Sequence, residues 1–151
     1  MSIRPFLPAL FVTALAACDN LGLSGEPEQL TVEVDAIGAS QISLVTSTNW
    51  IYMTDPACNP DEQNCPDVLR VLAADTTTTD APLRRTFRFT RDLKYFVEVF
   101  PAGGVTATLK MLVEIDGKEW YNEARELAPH GQDGNQETLQ FVYQWRQPTI
   151  Q

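Results

Sequence analysis

Three cysteines, a single histidine and a scatter of carboxylates are the residues of this 151-residue chain with the reactivity to do chemistry. Nucleophilic hydrolysis needs a nucleophile, a base and an orienting group. His130 lies between Pro129 and Gly131 in a polar stretch and no G-x-S-x-G occurs, so it reads as a loop residue. Glu114, Asp116, Glu119 and Glu123 supply carboxylate pairs of the kind glycosidases use, but any acidic hairpin offers as many. Asp55, Asn59, Asp61, Glu62, Asn64 and Asp67 crowd oxygen donors into one loop, which is calcium chemistry. Their spacing is not that of an EF-hand and prolines interrupt it, so solvated loop acids are the simpler reading. Cys58 and Cys65 flank the polar, turn-prone NPDEQN and suit either a metal or a disulfide. A zinc site wants four ligands, and no C-x-x-C or second histidine supplies the other two. The expectation is therefore no catalytic residue, no metal and no cofactor. Trp50, Tyr52, Trp120, Tyr121 and Trp145 are a possible sugar-stacking platform, although aromatics in a small domain mostly fill its core.

The elements that must position these residues are strands. Leu30, Val32 and Val34 alternate with Thr31, Glu33 and Asp35, the period of a half-buried strand. Ile42 and Leu44 give a second strand, and Trp50-Ile51-Tyr52-Met53 a third after a break. Val68 to Leu72 is short and apolar, and the threonine-rich Asp75 to Pro82 reads as a connection. Phe87 and Phe89, then Leu93, Tyr95, Val97 and Val99, continue the alternation. Val105, Ala107, Leu109, Met111, Val113 and Ile115 hold it through a long strand whose outer face is broken only by Leu112. Asp116-Gly117 follows, a dipeptide suited to the positive φ angles of a tight hairpin. Lys118 to Glu123 returns, and strict alternation puts the adjacent Trp120 and Tyr121 on opposite faces, one of them outside. Glu123 to Leu127 has room for one helical turn. Leu139, Phe141, Tyr143 and Trp145 form the last strand. Roughly eight or nine short strands predict an all-β fold: a single antiparallel sandwich of immunoglobulin-like or transthyretin-like type.

Ahead of this domain, Arg4 precedes an apolar run from Phe6 to Ala17, closed by Leu15-Ala16-Ala17-Cys18. The run falls short of the ~20 residues needed to span a bilayer. The arrangement resembles a bacterial lipoprotein signal peptide with its lipobox. The resemblance implies cleavage before Cys18, lipidation of the Cys18 thiol, and a domain tethered to a membrane on the periplasmic or extracellular side. Two or more acyl chains hold such a tether durably. Asp19, directly after the lipidated position, inclines the anchor towards the inner membrane in some double-membrane bacteria. The division is then 1–17 signal peptide, 18–29 lipidated cysteine and flexible tether, 30–147 sandwich, and 148–151 tail. Outside the cytoplasm disulfides persist, which favours a Cys58–Cys65 bond worth roughly 2–3 kcal/mol.

The net charge of -9, which loses Arg4 and no acid on processing, argues against nucleic acid as a partner. Arg84, Arg85, Arg88, Arg91 and Lys94 form one basic window, either a patch for an acidic partner or the solvated side of a strand. Thr106 to Leu127 is similar to the long-strand, D-G-K, return-strand unit of MmpS-type transport-accessory domains and immunoglobulin-like extracytoplasmic domains. The cysteine loop and lipobox depart from those families, and no functional residue carries over. The leading expectation is a non-catalytic binding or accessory module for another envelope protein. Leu112, Trp120, Tyr121, Arg84 and Arg88 are the candidate contact residues. The alternative is a carbohydrate-binding or carbohydrate-active domain using hairpin carboxylates and exposed aromatics.

Overall fold

The computed structural model describes residues 25–59, 64–129 and 137–145, and within them every regular element is a strand. In chain order these are β1 (Gln29–Ile37), β2 (Gln41–Thr54), β3 (Asp67–Asp80), β4 (Leu83–Arg88), β5 (Lys94–Pro101), β6 (Ala107–Ile115), β7 (Lys118–Leu127) and β8 (Leu139–Gln144). They form two four-stranded antiparallel sheets, β4-β1-β6-β7 and β3-β2-β5-β8. The expected antiparallel β-sandwich is the fold. Its order differs from the ABED-on-CFG arrangement of immunoglobulin constant domains, because β1 pairs with β4 and β6 and not with β2.

Alternation dictates the core. Across β1 and β6 the register sets Leu30 beside Ile115, Val32 beside Val113 and Val34 beside Met111. Across the other sheet it sets Leu44 beside Val99, Val97 beside Phe141 and Val99 beside Leu139. These side chains all belong to one buried cluster between the sheets. A one-residue slip of β1 against β6 would turn Glu33 and Asp35 inward, so burial fixes the register. The tight turn forms as expected: Asp116 has φ 49° and Gly117 φ 77°, the left-handed pair that a two-residue hairpin loop requires. At the other end of β1, Gly38 has φ 94°, and a Cβ there would stand 3.2 Å from the Thr106 carbonyl oxygen.

Four expectations need correction. What read as two strands is one, β2, because a register shift between Thr46 and Trp50 absorbs the break in alternation. Ser47 Oγ stabilises that irregularity by accepting from the Asn49 N–H at 2.9 Å and donating to the Ala73 carbonyl. The Thr-rich "connection" is the second half of β3, Thr76 to Thr79 pairing with Val45 to Ile42. β-branched threonine suits a pleated edge strand, and this preference outweighs its use in turns. Glu123 to Leu127 continues β7 and forms no helical turn. Val105 lies before β6 and is 40% exposed, so it does not share the core with Leu109, Met111 and Val113.

Leu112 is half-buried on the outer face, opposite Glu33 on one side and Asn122 on the other. Val113 is fully buried. Val113→Asp should therefore destabilise by roughly 4 kcal/mol, since an unpaired carboxylate enters the core. Leu112→Asp should cost only about 1 kcal/mol, from a lost contact and a like charge beside Glu33. Urea denaturation of both variants checks this, and equal losses would contradict the outward placement of Leu112.

Candidate contact surface

β7 departs from regular pairing where the sequence places its aromatics. Val113 pairs with Tyr121 but Glu114 pairs with Glu119, so Trp120 is an extra residue in a bulge. A bulge cancels strict alternation locally. Trp120 and Tyr121 therefore both reach the opposite sheet, correcting the expectation that they face apart. The Trp120 ring stands edge-on to Tyr143 with centroids 5.1 Å apart, and Tyr121 meets Phe141 at 5.9 Å. Tyr121 packs on the core, whereas Trp120 stays 50% exposed. Trp120, Phe141, Tyr143 and Trp145 line an open cleft of about 700 Å³, with Gly25 and Lys118 also in its wall. The Lys118 ammonium lies 5.6 Å from the Trp120 ring centroid.

The hairpin carboxylates are committed to structure. Asp116 accepts from the backbone N–H groups of Glu28 and Gln29 at 3.0 to 3.3 Å. Glu119 accepts from the Asn122 amide at 3.2 Å. Glu114 stands 4.0 Å from Arg84, which also pairs with Glu33 at 2.7 Å. Glu123 accepts from the Tyr121 hydroxyl at 2.6 Å and from the Arg125 guanidinium. Burial, then the bond to Glu123, pushes the Tyr121 hydroxyl above the usual phenol range. That same bond, then Arg125, holds the Glu123 carboxyl below the usual carboxylate range. An acid catalyst in glycoside cleavage needs the opposite, a carboxyl raised so that it keeps its proton.

A second surface was not singled out from the sequence. The last β2–β5 pair is Ser47 with Phe96, so Asn49 to Thr54 pairs with β3 alone. The β2–β3 hairpin thus overhangs the sandwich as a two-stranded arm, about 14 Å from Trp50 to Thr54 at strand rise. Cys58 and Cys65 close its tip in a disulfide with Cα atoms 5.7 Å apart, as expected. Its root is Trp50, 3% exposed, whose carbonyl accepts from Lys94 at 2.9 Å and whose ring meets Tyr52 at 5.5 Å. Ile51 and Tyr52, by contrast, are 41% and 55% exposed. The signal was present in outline: apolar runs at Trp50 to Met53 and Val68 to Leu72 flank the cysteine pair on either side, as hairpin strands do.

The remaining candidates disperse. Arg84 is neutralised on the outer face of its sheet, Arg85 lies 5.2 Å over the Phe87 ring, and Lys94 is held by Trp50. Arg88 and Arg91 line a recess beside Gly25 to Gln29. The basic window is therefore no single patch; Leu112, Arg84 and Arg88 lie on the outer face of the β4-β1-β6-β7 sheet, whereas Trp120 and Tyr121 turn towards the other sheet. Among the described residues no three His, Cys, Asp or Glu side chains converge to hold a metal. Cys18, Asp19, Asp61, Glu62 and His130 lie outside the described residues. The chain matches no known family model, curated protein or solved structure.

Because its pKa is depressed, the Glu123 contribution to stability is present above the ordinary carboxylate pKa and is lost as pH falls through the lowered value. Carbon-13 NMR of the side-chain carboxyl should place its midpoint below the ordinary glutamate value. In Tyr121→Phe the midpoint should rise towards that value. An unchanged midpoint would show that the Tyr121 bond does not form in solution.

Proposed function

We propose that the chain is a membrane-tethered envelope lipoprotein whose sandwich serves as a non-catalytic binding or accessory module for another envelope component. The lipobox ending at Cys18 supports the anchor, and the overhanging arm is the single observation that carries the binding role. Apolar surface left in water forgoes roughly 25 cal/mol per Å², which a partner recovers by covering it. Tyr52 stands exposed on one face of the arm and Ile51 on the other, and Leu72 is 51% exposed on the neighbouring strand. A disulfide at the tip and Trp50 at the root preorganise the arm, so little ordering entropy opposes association. The carbohydrate-active alternative has less support, since the hairpin carboxylates it would use are already engaged.

Two outcomes are expected. Cys18→Ser should abolish fatty-acid labelling and leave the precursor uncut; persisting label would contradict the anchor. A photo-crosslinking residue at Tyr52 of the full-length chain, expressed where its lipobox is processed, should give one discrete adduct with an envelope protein. The same residue at Lys110, on the outer face of β6, should give none. The Cys58→Ala, Cys65→Ala double variant should lose the Tyr52 adduct yet keep the β signature in circular dichroism. Adducts as strong from Lys110 as from Tyr52 would show that the arm is not the contact.

A further inference from the structure

Three features meet at one end of the sandwich. The described chain begins at Gly25, in the wall of the cleft that Trp120, Tyr143 and Trp145 line. Gly25 lies seven positions after Cys18 in the sequence, and fully extended chain of that length reaches at most about 25 Å. A lipid-bearing Cys18 thus keeps this end of the domain close to the bilayer. The opposite end, where Gly38 leaves β1, is further by the length of that nine-residue strand, about 30 Å.

The side chains at the near end suit a lipid interface. Trp120 is half exposed, with the Lys118 ammonium beside its ring. An indole at headgroup depth with a lysine reaching back to water is a common arrangement where proteins meet membranes. We infer that the Trp120–Trp145 cleft is seated on the bilayer surface. This rests on the Cys18 anchor proposed above and adds an orientation to it. Charge does not drive the contact: Lys118, Arg88 and Arg91 around Gly25 are offset by Glu26, Glu28 and Asp116. The seat therefore depends on the aromatic rings and not on anionic lipid.

The arm permits this seat if the domain tilts. Three strand spacings, about 14 Å, separate β3 from β8 in the order β3-β2-β5-β8. With an overhang that runs past Thr54 to the disulfide, a tilt of about 45° or more brings the cleft down while the arm runs alongside the bilayer. Asp55 and Asp67 on the arm then stay out of the hydrocarbon, where carboxylates are costly.

The test uses the full-length chain purified with its lipid, acyl mass verified, in phosphatidylethanolamine–phosphatidylglycerol vesicles with brominated acyl chains. Tryptophan emission should be quenched, and quenching should persist at high salt and when phosphatidylcholine replaces phosphatidylglycerol. Trp120→Phe, which keeps an aromatic ring against Tyr143, should lose most of the quenching without change in circular dichroism. A lipidated chain quenched by aqueous iodide but not by bromolipid would overturn the seat and leave the anchor intact. Quenching that requires phosphatidylglycerol would overturn it in favour of electrostatic adsorption. A chain without acyl mass would end both the seat and the anchor.

Discussion

Asp116 ties the start of β1 to the β6–β7 turn. Its backbone makes the β6–β7 turn with Gly117, and its N–H donates to the Gln29 carbonyl at 3.1 Å. Its carboxylate meanwhile accepts from Glu28 and Gln29, 88 and 87 positions earlier. One residue thereby joins the tip of the hairpin to the start of β1. The path of Gly25 to Glu28 beside the aromatic cleft follows from that junction. A turn residue with no carboxylate would still allow a hairpin, but it would leave the Glu28 and Gln29 amides to water and the start of β1 free to fray.

The bulge at Trp120 adds a second constraint of the same local kind. One extra residue between the Glu119 and Tyr121 pairings brings two adjacent aromatic side chains towards β8. Tyr121 then completes the core, with its hydroxyl on Glu123. Trp120 is left at the margin, half exposed. The irregularity in β2 does comparable work for the arm. Ser47 holds the shifted register, and beyond it Trp50 is buried at the root while Ile51 and Tyr52 are exposed. Both proposed contact surfaces thus arise where regular strand pairing is interrupted.

This accounts for what the sequence made legible. Leu30, Val32 and Val34, the β6 run from Leu109 to Ile115, and the Asp116-Gly117 turn could be read directly, because burial on one face imposes a period of two and left-handed φ angles select few residues. The cysteine pair was readable for a similar reason: a short polar loop permits closure, and no C-x-x-C or second histidine completes a zinc set. The continuity of β2, the strand made by Thr76 to Thr79 and the shared face of Trp120 and Tyr121 were not readable. Each depends on a partner strand: Ala73 for the Ser47 hydroxyl, β2 for the threonines, and β6 with β8 for the bulge. Pairing across the sheet decided them, and local pattern could not.

We propose that one end of this sandwich, defined by Asp116, Gly25 and the Trp120 cleft, faces the membrane. Amide NMR of the lipidated full-length chain on nanodiscs carrying gadolinium-chelating headgroups measures this residue by residue. Strong broadening is expected at Glu26, Gly117, Lys118 and Trp145, fading along β1 and β6 to little at Gly38 and Gly104. Uniform broadening, or a gradient running the other way, would contradict it.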